Sequence, residues 1–275
     1  MKDQLEERCL SVVMPAYNEA ATLAEVVSKV LALKHLLEII IVDDGSKDNS
    51  QSVINSLAAE HPEIRHCRHE RNLGKTAALR TGFAMTRGSV VIIQDADLET
   101  EPAEIPRVIQ PIIDGEADVV YGSRFLERRI KGNGYLLHFI GNKFLTVVSN
   151  VLSGLTVTDM ETCYKAFRGE IVRNMIIVSN GFGFEVESTA KIAKLKCRVK
   201  EVPVSYRGRS YEEGKKMHYR DGLQALWLLV KFNIFVSLRS SFQTIETTPT
   251  APDASRDSSR ALLVNSSAPE LNENA

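Results

Sequence analysis

The sequence predicts an α/β protein built on a mainly parallel, twisted sheet with helices on both faces. Short runs of β-branched and aliphatic residues recur along the first half of the chain. Each run leads through a polar turn into a segment in which Ala, Val and Leu have helical spacing. Strands that alternate with helices in this way are joined by right-handed crossovers, which produce a parallel sheet. The 275 residues, of which 44% are hydrophobic, are enough for one large domain.

The elements follow from these runs in chain order. Strands are expected at residues 10–14, 38–42, 64–68, 89–94 and 117–121. A basic, glycine-containing loop is expected over 124–134, a helix over 136–152, an irregular stretch over 158–168, a helix over 185–195, a strand over 200–206 and a helix over 221–238. Pro203 favours a position near a sheet edge for that last strand. Residues 1–239 are therefore predicted to form one domain. Residues 240–275, where Ser, Thr, Pro, Ala and Asn dominate, are predicted to be a disordered polar tail.

Charge and cysteine content exclude several classes of protein. The formal net charge is −1, so the strongly basic face of a nucleic-acid-binding protein is not expected. The four cysteines are scattered without a C-x-x-C pair, which argues against a zinc site or a disulfide framework and favours a reducing cytosol. The N-terminus has no apolar core typical of a secretory signal, and no apolar run is long enough to span a membrane. A cytoplasmic protein is expected, with its oligomeric state left open.

The most informative local feature is a pair of carboxylates at the end of an apolar strand. Residues 91–99 read VIIQDADLE, so Asp95 and Asp97 follow the strand with one small residue between them. A hard divalent cation such as Mg²⁺ or Mn²⁺ prefers a few carboxylate oxygens and shares the rest of its shell with water and substrate phosphates. The pattern therefore indicates a metal site for a diphosphate, although two acids at this spacing are also common in solvated loops.

Two earlier strands end in acidic and aromatic residues at the same predicted edge. Tyr17 offers a stacking surface for a nucleobase, and Asp43 or Asp44 offers an acceptor for a ring N–H group. A structural alternative exists for the second strand end, since residues 44–46 (DGS) favour a turn and Asp48 is a suitable helix cap. Three acidic strand ends together favour the binding site.

These motifs occur in the order and spacing of a known family. Residues 13–19 (VMPAYNE), 42–46 (VDDGS), 71–75 (RNLGK) and 95–97 (DAD) resemble the motifs of family-2 inverting glycosyltransferases, which have the GT-A fold. Residues 122–124 (GSR), 158–165 (TDMETCYK) and 209–216 (RSYEEGKK) resemble the dolichyl-phosphate mannose synthase branch and its bacterial relatives. The resemblance extends over about residues 10–235.

The resemblance implies that one edge of the sheet binds a nucleotide-diphospho-sugar donor. The nucleoside would be held by Pro15, Tyr17, Glu19 and either Asp43 or Asp44. Asp95 and Asp97 would bind Mg²⁺ or Mn²⁺, and Asp95 would also face the donor nucleotide. Lys75 is expected near the donor or on a helix surface. Glu99 stands where relatives often have Gln as a further metal ligand, and whether it binds the metal directly is left open.

The resemblance also implies an acceptor site. Arg124 and Arg209 match arginines that contact the acceptor phosphate or the donor diphosphate, and both are candidate catalytic residues with Asp97. A second acceptor arginine is expected in the following helix, where this chain has Lys143, a point charge without the fork of Arg. A hydroxyl acceptor needs a base, for which Asp159 or Glu161 is available. Asp159 is equally compatible with a salt-bridged or capping acid in a turn.

The predicted function is therefore transfer of a hexose, with inversion, from a nucleotide-diphospho-sugar to a polyprenyl phosphate. GDP-mannose is the first choice of donor and UDP-glucose the second. Contact with the inner face of the membrane is expected if the acceptor is a lipid. The alternatives are transfer to a soluble hydroxyl acceptor and a non-catalytic nucleotide-sugar sensor.

Several weaker signals are given structural interpretations. Residues 74–76 (GKT) lack the earlier glycine of a phosphate-binding loop, because position 69 is His. His66 and His69 flank a strand end and are expected on the surface. Residues 181–183 (GFG) are interpreted as a turn before a helix. The basic run 207–220 is expected to close over the diphosphate, and the apolar helix after it to pack on the sheet.

Overall fold

A computed structural model of the chain describes residues 8–126, 130–131, 136–208 and 219–243. Arg209 and most of the basic run 207–220 lie outside these residues, as does part of the loop predicted at 124–134. The described residues belong to one compact unit that extends to Ile245.

The core of the fold is a seven-stranded sheet. Its strands are β1 (Leu10–Ala16), β2 (Leu36–Asp43), β3 (Ile64–Arg68), β4 (Val90–Ile93), β5 (Val119–Ser123), β7 (Lys165–Arg168) and β8 (Val199–Pro203), and their order across the sheet is β3-β2-β1-β4-β7-β5-β8. Strand β7 runs antiparallel to both neighbours, and the other pairings are parallel. Two short strands, β6 (Ile130–Lys131) and β9 (Tyr206–Arg207), pair separately. The predicted mainly parallel sheet is confirmed.

Helices cover both faces of the sheet. They are α1 (Leu23–Leu31), α2 (Ser50–Glu60), α3 (Lys75–Met85), α4 (Ile105–Ile113), α5 (Leu136–Ser153), α6 (Gly169–Asn174), α7 (Phe184–Lys194) and α8 (Tyr219–Val230). A short 3₁₀ helix, Pro102–Glu104, precedes α4, and a π-helical turn, Lys231–Phe235, follows α8. The α-helical part of the final helix is thus shorter than predicted and continues into this wider π turn. Among the described helices, none combines the length and the apolar character needed to cross a membrane.

Alternation along the strands divides the core into two layers. On β1, Val12 and Met14 pack into one buried cluster, and Val13 packs into the other. Ile39 and Ile40 of β2 divide in the same way. Because successive side chains of a strand point to opposite faces, a strand buried on both faces is apolar throughout rather than alternating. This is why the predicted strands appear as continuous apolar runs.

The sequence-based prediction missed strand β7 and placed an irregular segment there. The strand has only four residues, and its ends are Lys165 and Arg168, so neither an apolar run nor an alternating pattern marks it. Lys165 is fully buried because its ammonium donates to the carbonyls of Met160 and Thr162 at 2.7 and 2.6 Å. Pro203 does lie on an edge strand, as predicted, because β8 is the last strand of the sheet.

Two residues beyond the predicted domain boundary at residue 239 pack against the domain. Ser241 and Phe242 are buried, and Phe242 forms an antiparallel bridge with Met175. The amides of Ile176 and Gln243 extend this contact by donating to the carbonyls of Ser241 and Asn174. Because this segment is mostly polar, the sequence analysis did not identify Phe242 as a buried residue. The rest of the predicted tail, residues 244–275, lies outside the described residues.

We therefore expect a chain that ends at Arg239 to be less stable than one that ends at Gln243. Burying an aromatic side chain stabilises a fold by about 2 kcal/mol, and only the longer chain retains Phe242. Urea denaturation of the two chains, with Phe242→Ala in the longer one, measures the difference. Equal midpoints for all three would show that Phe242 contributes nothing.

Candidate active site

The predicted donor residues meet at one edge of the sheet. Strands β2, β1 and β4 are neighbours and parallel, so their carboxyl ends lie side by side. Asp43 ends β2, Tyr17 follows β1, and Asp95 follows β4. Ligands of open α/β sheets bind outside the carboxyl ends of the strands. The fold therefore brings the three acidic strand ends together as the sequence predicts.

The Asp44 carboxylate accepts hydrogen bonds from the loop that follows β3. Its carboxylate accepts the amides of Leu73 and Gly74 at 3.0 and 2.8 Å and contacts His69 Nδ1 at 2.7 Å. His69 Nε2 in turn lies 3.0 Å from the Thr81 hydroxyl. Asp44 thus positions the RNLGK segment. His69 is largely buried, so the expectation that it is a surface residue is wrong.

Asp43 keeps one oxygen available for a ligand. Its Oδ1 accepts the amide of Ser46 at 2.9 Å, whereas its buried Oδ2 has no hydrogen-bond partner within the described part of the chain. The nearest cation, Arg68 Nη1, lies 3.3 Å from Oδ2. A buried acceptor without a donor is costly, and a nucleobase N–H group would satisfy it. The geometry favours Asp43 over Asp44 as the nucleoside acceptor.

Glu19 and its neighbours shape the turn after β1. Pro15 lies in β1, and Glu19 is buried where the chain enters α1. The Glu19 amide donates to the Ser50 hydroxyl at 2.9 Å, and its carbonyl accepts the amides of Thr22 and Leu23. The Thr22 hydroxyl donates to the Ala96 carbonyl at 2.6 Å. The turn is thereby tied to the segment between Asp95 and Asp97.

Lys75 pairs with the first aspartate of the D-x-D motif. Its ammonium lies 2.7 Å from both carboxylate oxygens of Asp95. Burial alone would lower the pKa of Lys75, but the Asp95 carboxylate outweighs it and holds that pKa well above its ordinary value. Of the two positions predicted for Lys75, the structure places it beside Asp95, at the start of α3, rather than on an exposed helix surface.

Asp97, the second aspartate of the D-x-D motif, is hydrogen-bonded to the backbone of Glu99. Asp97 Oδ1 accepts the Glu99 amide at 3.1 Å, and Glu99 Oε2 accepts the Tyr206 hydroxyl at 2.7 Å. Between them Leu98 has a φ of 60°, a left-handed conformation that turns the chain sharply.

The D-x-D residues fit a metal ion that shares its ligands with the donor. Among the described residues, no three His, Cys, Asp or Glu side chains are grouped to hold a metal by themselves. Two half-buried carboxylates, Asp95 and Asp97, nevertheless provide the oxygen donors that Mg²⁺ and Mn²⁺ prefer, with diphosphate and water left to complete the shell.

Arg124 and Asp159 form a buried ion pair at the end of β5. The guanidinium donates from Nε to Oδ2 and from Nη2 to Oδ1, both at 2.7 Å, and the Arg124 amide donates to Oδ2 at 3.0 Å. Asn142 Nδ2 approaches Oδ1 at 3.3 Å. Asp159 is fully buried. In this arrangement it holds Arg124, as the salt-bridged alternative predicts, and is poorly placed to act as a base.

Further contacts bring Lys143 to the same place. Lys143 Nζ donates to the Thr158 carbonyl at 3.3 Å and lies 5.1 Å from the Phe125 ring centroid. The Arg124 guanidinium lies over the same ring and over Tyr206. The Glu201 carboxylate accepts a hydrogen bond from the Thr158 amide at 2.8 Å and so stabilises the turn. Arg124 and Lys143 therefore form one cationic cluster, and Arg209 lies outside the described residues.

Glu185 is a candidate site residue that the sequence-based prediction missed. It is the second residue of α7, after the Gly-Phe-Gly turn, and is only 4% exposed. Neither carboxylate oxygen has a hydrogen-bond partner within the described residues. Lys75 Nζ lies 4.0 Å away, so Glu185 is next to the D-x-D motif. The signal in the sequence was a pair of acids, Glu185 and Glu187, in the first turn of a helix.

Glu161 shares this environment. Its Oε1 is buried without a hydrogen-bond partner in the described structure. Burial first, and then the neighbouring Glu185 carboxylate, raises the pKa of Glu161 to about 7. A carboxyl group with a pKa near neutrality is suited to accepting or holding a proton.

Fold and site together define a nucleotide-diphospho-sugar transferase of the GT-A class. The family model "Glycosyl transferase family 2" matches residues 11–175. The chain therefore belongs to glycosyltransferase family 2, and this membership favours an enzyme over a nucleotide-sugar sensor.

Similar proteins include lipid-phosphate glycosyltransferases. The undecaprenyl-phosphate mannosyltransferase of Micrococcus luteus is 28% identical, over 74% of this chain and 85% of that protein. The undecaprenyl-phosphate 4-deoxy-4-formamido-L-arabinose transferase of Shewanella sediminis is 32% identical over 63% of this chain, which spans only 55% of that protein. Among solved structures, glucosyl-3-phosphoglycerate synthase from Mycobacterium tuberculosis, in complex with Mn²⁺, UDP and phosphoglyceric acid, has a TM-score of 0.64 at 22% identity, covering 84% of this chain and 82% of that one.

We expect Asp97→Ala to reduce sugar transfer by at least about 100-fold, because a metal ligand at the leaving group supplies several kcal/mol of stabilisation. The fold should survive, since Asp97 is not a core residue. Initial rates and Mn²⁺ binding would be measured beside Asp114→Asn, an exposed acid outside the site. Activity within about threefold of the parent at saturating metal would contradict the metal assignment.

Glu161 should also give the fold a measurable pH dependence. Its folded pKa is raised, so its contribution to stability is fully present below the unfolded pKa and is lost as the pH rises through about 7. Glu161→Gln, uncharged at every pH, should therefore become more stable than the parent above pH 7, by on the order of 1–3 kcal/mol. Urea denaturation at pH 5 and 8, with the exposed Glu170→Gln as control, measures this. Parallel pH curves for parent and Glu161→Gln would refute the shifted pKa.

Proposed function

We propose that this protein transfers a hexose from a nucleotide-diphospho-sugar to a polyprenyl phosphate, with inversion at the anomeric carbon. The observation that carries the proposal is the cationic cluster of Arg124 and Lys143 at the carboxyl end of β5. Strand β5 is parallel to β4 because both are antiparallel to β7. The cluster therefore lies at the same sheet edge as the D-x-D motif, where a phosphate can meet the donor.

The acceptor chemistry agrees with the charges of this site. A phosphate monoester is already ionised and attacks without a base, so it needs orientation more than deprotonation. Arg124, fixed by Asp159, and Lys143 would orient it. The names of the Micrococcus and Shewanella relatives also support a lipid-phosphate acceptor.

The donor side follows from the residues at the ends of β1, β2 and β4. Tyr17 and Asp43 would hold the base. The leaving diphosphate gains charge as the bond to the sugar breaks, and a divalent cation bound with Asp97 would stabilise that charge. Lys75, already beside Asp95, would supply a second positive charge. GDP-mannose is our first choice of donor and UDP-glucose the second; the name of the Micrococcus relative supports mannose as the sugar.

A second candidate function is transfer to a soluble hydroxyl acceptor. The observation that favours it is Glu161, whose carboxyl group has a pKa near neutrality and one buried oxygen without a hydrogen-bond partner in the described part of the chain. Because Asp159 is engaged by Arg124, Glu161 is the better candidate base of the two acids that the sequence offered. The similar fold of glucosyl-3-phosphoglycerate synthase, determined with phosphoglyceric acid, keeps this alternative open.

Two substitutions separate the acceptors. With polyprenyl phosphate, Lys143→Met should raise the acceptor KM about tenfold or more, since a charged hydrogen bond is lost, and Lys143→Arg should restore most of it. Glu161→Gln should change that rate by less than about threefold. If the acceptor is a hydroxyl, Glu161→Gln should instead lose about 10² to 10⁴ in kcat, and Lys143→Met should have little effect.

The assay would combine GDP-mannose and UDP-glucose with a polyprenyl phosphate, phosphoglyceric acid and free sugars. Transfer to phosphoglyceric acid or a sugar hydroxyl, with no product from the lipid phosphate, would overturn the first proposal and leave the family assignment intact. Hydrolysis of donor alone would be measured as background.

A further inference from the structure

The ammonium group of Lys75 and a metal ion would compete for the same carboxylate. Lys75 Nζ lies 2.7 Å from both oxygens of Asp95. The two side chains are only 14% and 18% exposed, so solvent screens their charges weakly. A divalent cation bound to Asp95 would stand within a few ångströms of the ammonium, and two cations at that distance repel each other. Lys75 therefore needs a second anion when Asp95 binds a metal.

The second anion within reach is the carboxylate of Glu185. Its Oε1 lies 4.0 Å from Lys75 Nζ, and neither of its oxygens has a hydrogen-bond partner among the described residues. A hydrogen bond between an ammonium and a carboxylate measures about 2.8 Å, so a shift of the ammonium by about 1 Å would form one. The flexible four-carbon stem of lysine permits such a shift. Glu185 is thus placed as an alternative partner for Lys75.

The other charged groups near Glu185 do not take this place. The ammonium of Lys165 attracts the Glu185 carboxylate from a distance, but it donates its hydrogen bonds to the carbonyls of Met160 and Thr162. Glu161, the neighbouring acid, has the same sign of charge as Glu185. A desolvated carboxylate without a hydrogen-bond donor is costly. That cost would be relieved when Lys75 turns from Asp95 to Glu185.

The separation of Lys75 and Glu185 is fixed by a direct connection between two helix starts. Lys75 is the first residue of α3, and Glu185 is the second residue of α7. The amide and the hydroxyl of Thr76 both donate to the Gly181 carbonyl, at 3.0 and 2.9 Å. The Phe184 amide donates to the same Thr76 hydroxyl at 3.1 Å. Lys75 can therefore exchange partners by rotating its side chain while the backbone on both sides stays in place.

We propose that Lys75 alternates between two carboxylates, pairing with Asp95 when no metal is bound there and with Glu185 when a divalent cation is bound. Glu185 is then a positioning residue: it keeps the ammonium next to the donor diphosphate and sets the affinity of the D-x-D motif for its metal. The inference rests on the metal assignment within the proposed function, but it is measured by metal binding alone, without acceptor or sugar transfer.

Metal affinity in a double-mutant cycle tests this exchange. Mn²⁺ would be titrated into the full-length parent, Lys75→Met, Glu185→Gln and the double variant, and free Mn²⁺ would be followed by electron paramagnetic resonance. The series would be run with Mn²⁺ alone and again at saturating GDP. Lys75→Met should tighten Mn²⁺ binding by about tenfold, because a competing cation is removed. Glu185→Gln should weaken it by about tenfold, because Lys75 then has no second partner.

The double variant distinguishes an exchange of partners from two independent charges. If Glu185 acts through Lys75, removing its charge should matter little once Lys75 is gone. The double variant should then bind Mn²⁺ within about threefold of Lys75→Met. If both charges act on the metal independently, their effects add, and the double variant should return to the affinity of the parent. That additive result would overturn the proposal.

Controls address the fold and nonspecific charge effects. Glu170→Gln removes an exposed acid outside the site and should leave the Mn²⁺ affinity unchanged. Circular dichroism would verify that each variant is folded, and Lys75→Gln would replace Lys75→Met in the cycle if the latter does not fold. Glu185→Gln is expected to fold, since it removes a buried charge that has no hydrogen-bond partner in the described structure.

Three outcomes separate this inference from the proposed function. If the cycle is non-additive but no polyprenyl phosphate is glycosylated, the exchange stands and the acceptor is wrong. If the lipid phosphate is glycosylated and the cycle is additive, the proposed function stands and the exchange is refuted. A parent that binds no Mn²⁺, either alone or with GDP, would overturn the exchange together with the metal assignment.

Discussion

The arrangement of the candidate site depends on the antiparallel pairing of β7 between β4 and β5. Because β7 runs opposite to its neighbours, its first residue, Lys165, lies at the edge where they end. The turn before it, residues 158–164, therefore lies between the D-x-D motif and Arg124. Lys165 holds that turn through two backbone carbonyls, while its ammonium lies 4.7 Å from the Tyr121 ring centroid. A parallel strand at this position would have placed Asp159 and Glu161 elsewhere.

The buried charges at this edge of the sheet favour ligand binding more than they favour stability. Desolvating an ion pair costs free energy that its attraction only partly recovers, so a buried pair is weak evidence for stability. This edge nevertheless contains Lys75 with Asp95 and Arg124 with Asp159. It also contains carboxylate oxygens of Glu185 and Glu161 that have no hydrogen-bond partner among the described residues. Such a concentration of desolvated charge is consistent with a site whose substrates bring charges and hydrogen-bond donors of their own.

Helix α5 connects the cationic cluster of Arg124 and Lys143 with a stripe of exposed apolar side chains. The first turns of α5 contribute Asn142 and Lys143 to the surroundings of Asp159, and its later turns expose Val147 and Val151. The inner side of the same helix contributes Leu145 and Val148 to the core. Any movement of α5 relative to the sheet would thus displace both the side chains that we propose to orient the acceptor and the exposed stripe.

The sequence by itself determined the parallel strands of the sheet and the edge at which their acidic ends meet. Continuous apolar runs identify the parallel strands from the local pattern alone. The D-x-D and VDDGS motifs lie at the ends of such runs. Because parallel strands end at the same edge of a sheet, both motifs could be placed at that edge from the sequence. The tertiary structure decided everything that depends on partners distant in the chain. Asp43 differs from Asp44 because Leu73, Gly74 and His69 engage the carboxylate of the latter. Asp159 likewise holds Arg124, 35 residues away. No local sequence pattern marks strand β7 or the buried residue Phe242. Lys165 of β7 is buried because its ammonium donates to backbone carbonyls, and Phe242 is held by its bridge to Met175. These contacts form only when the chain folds.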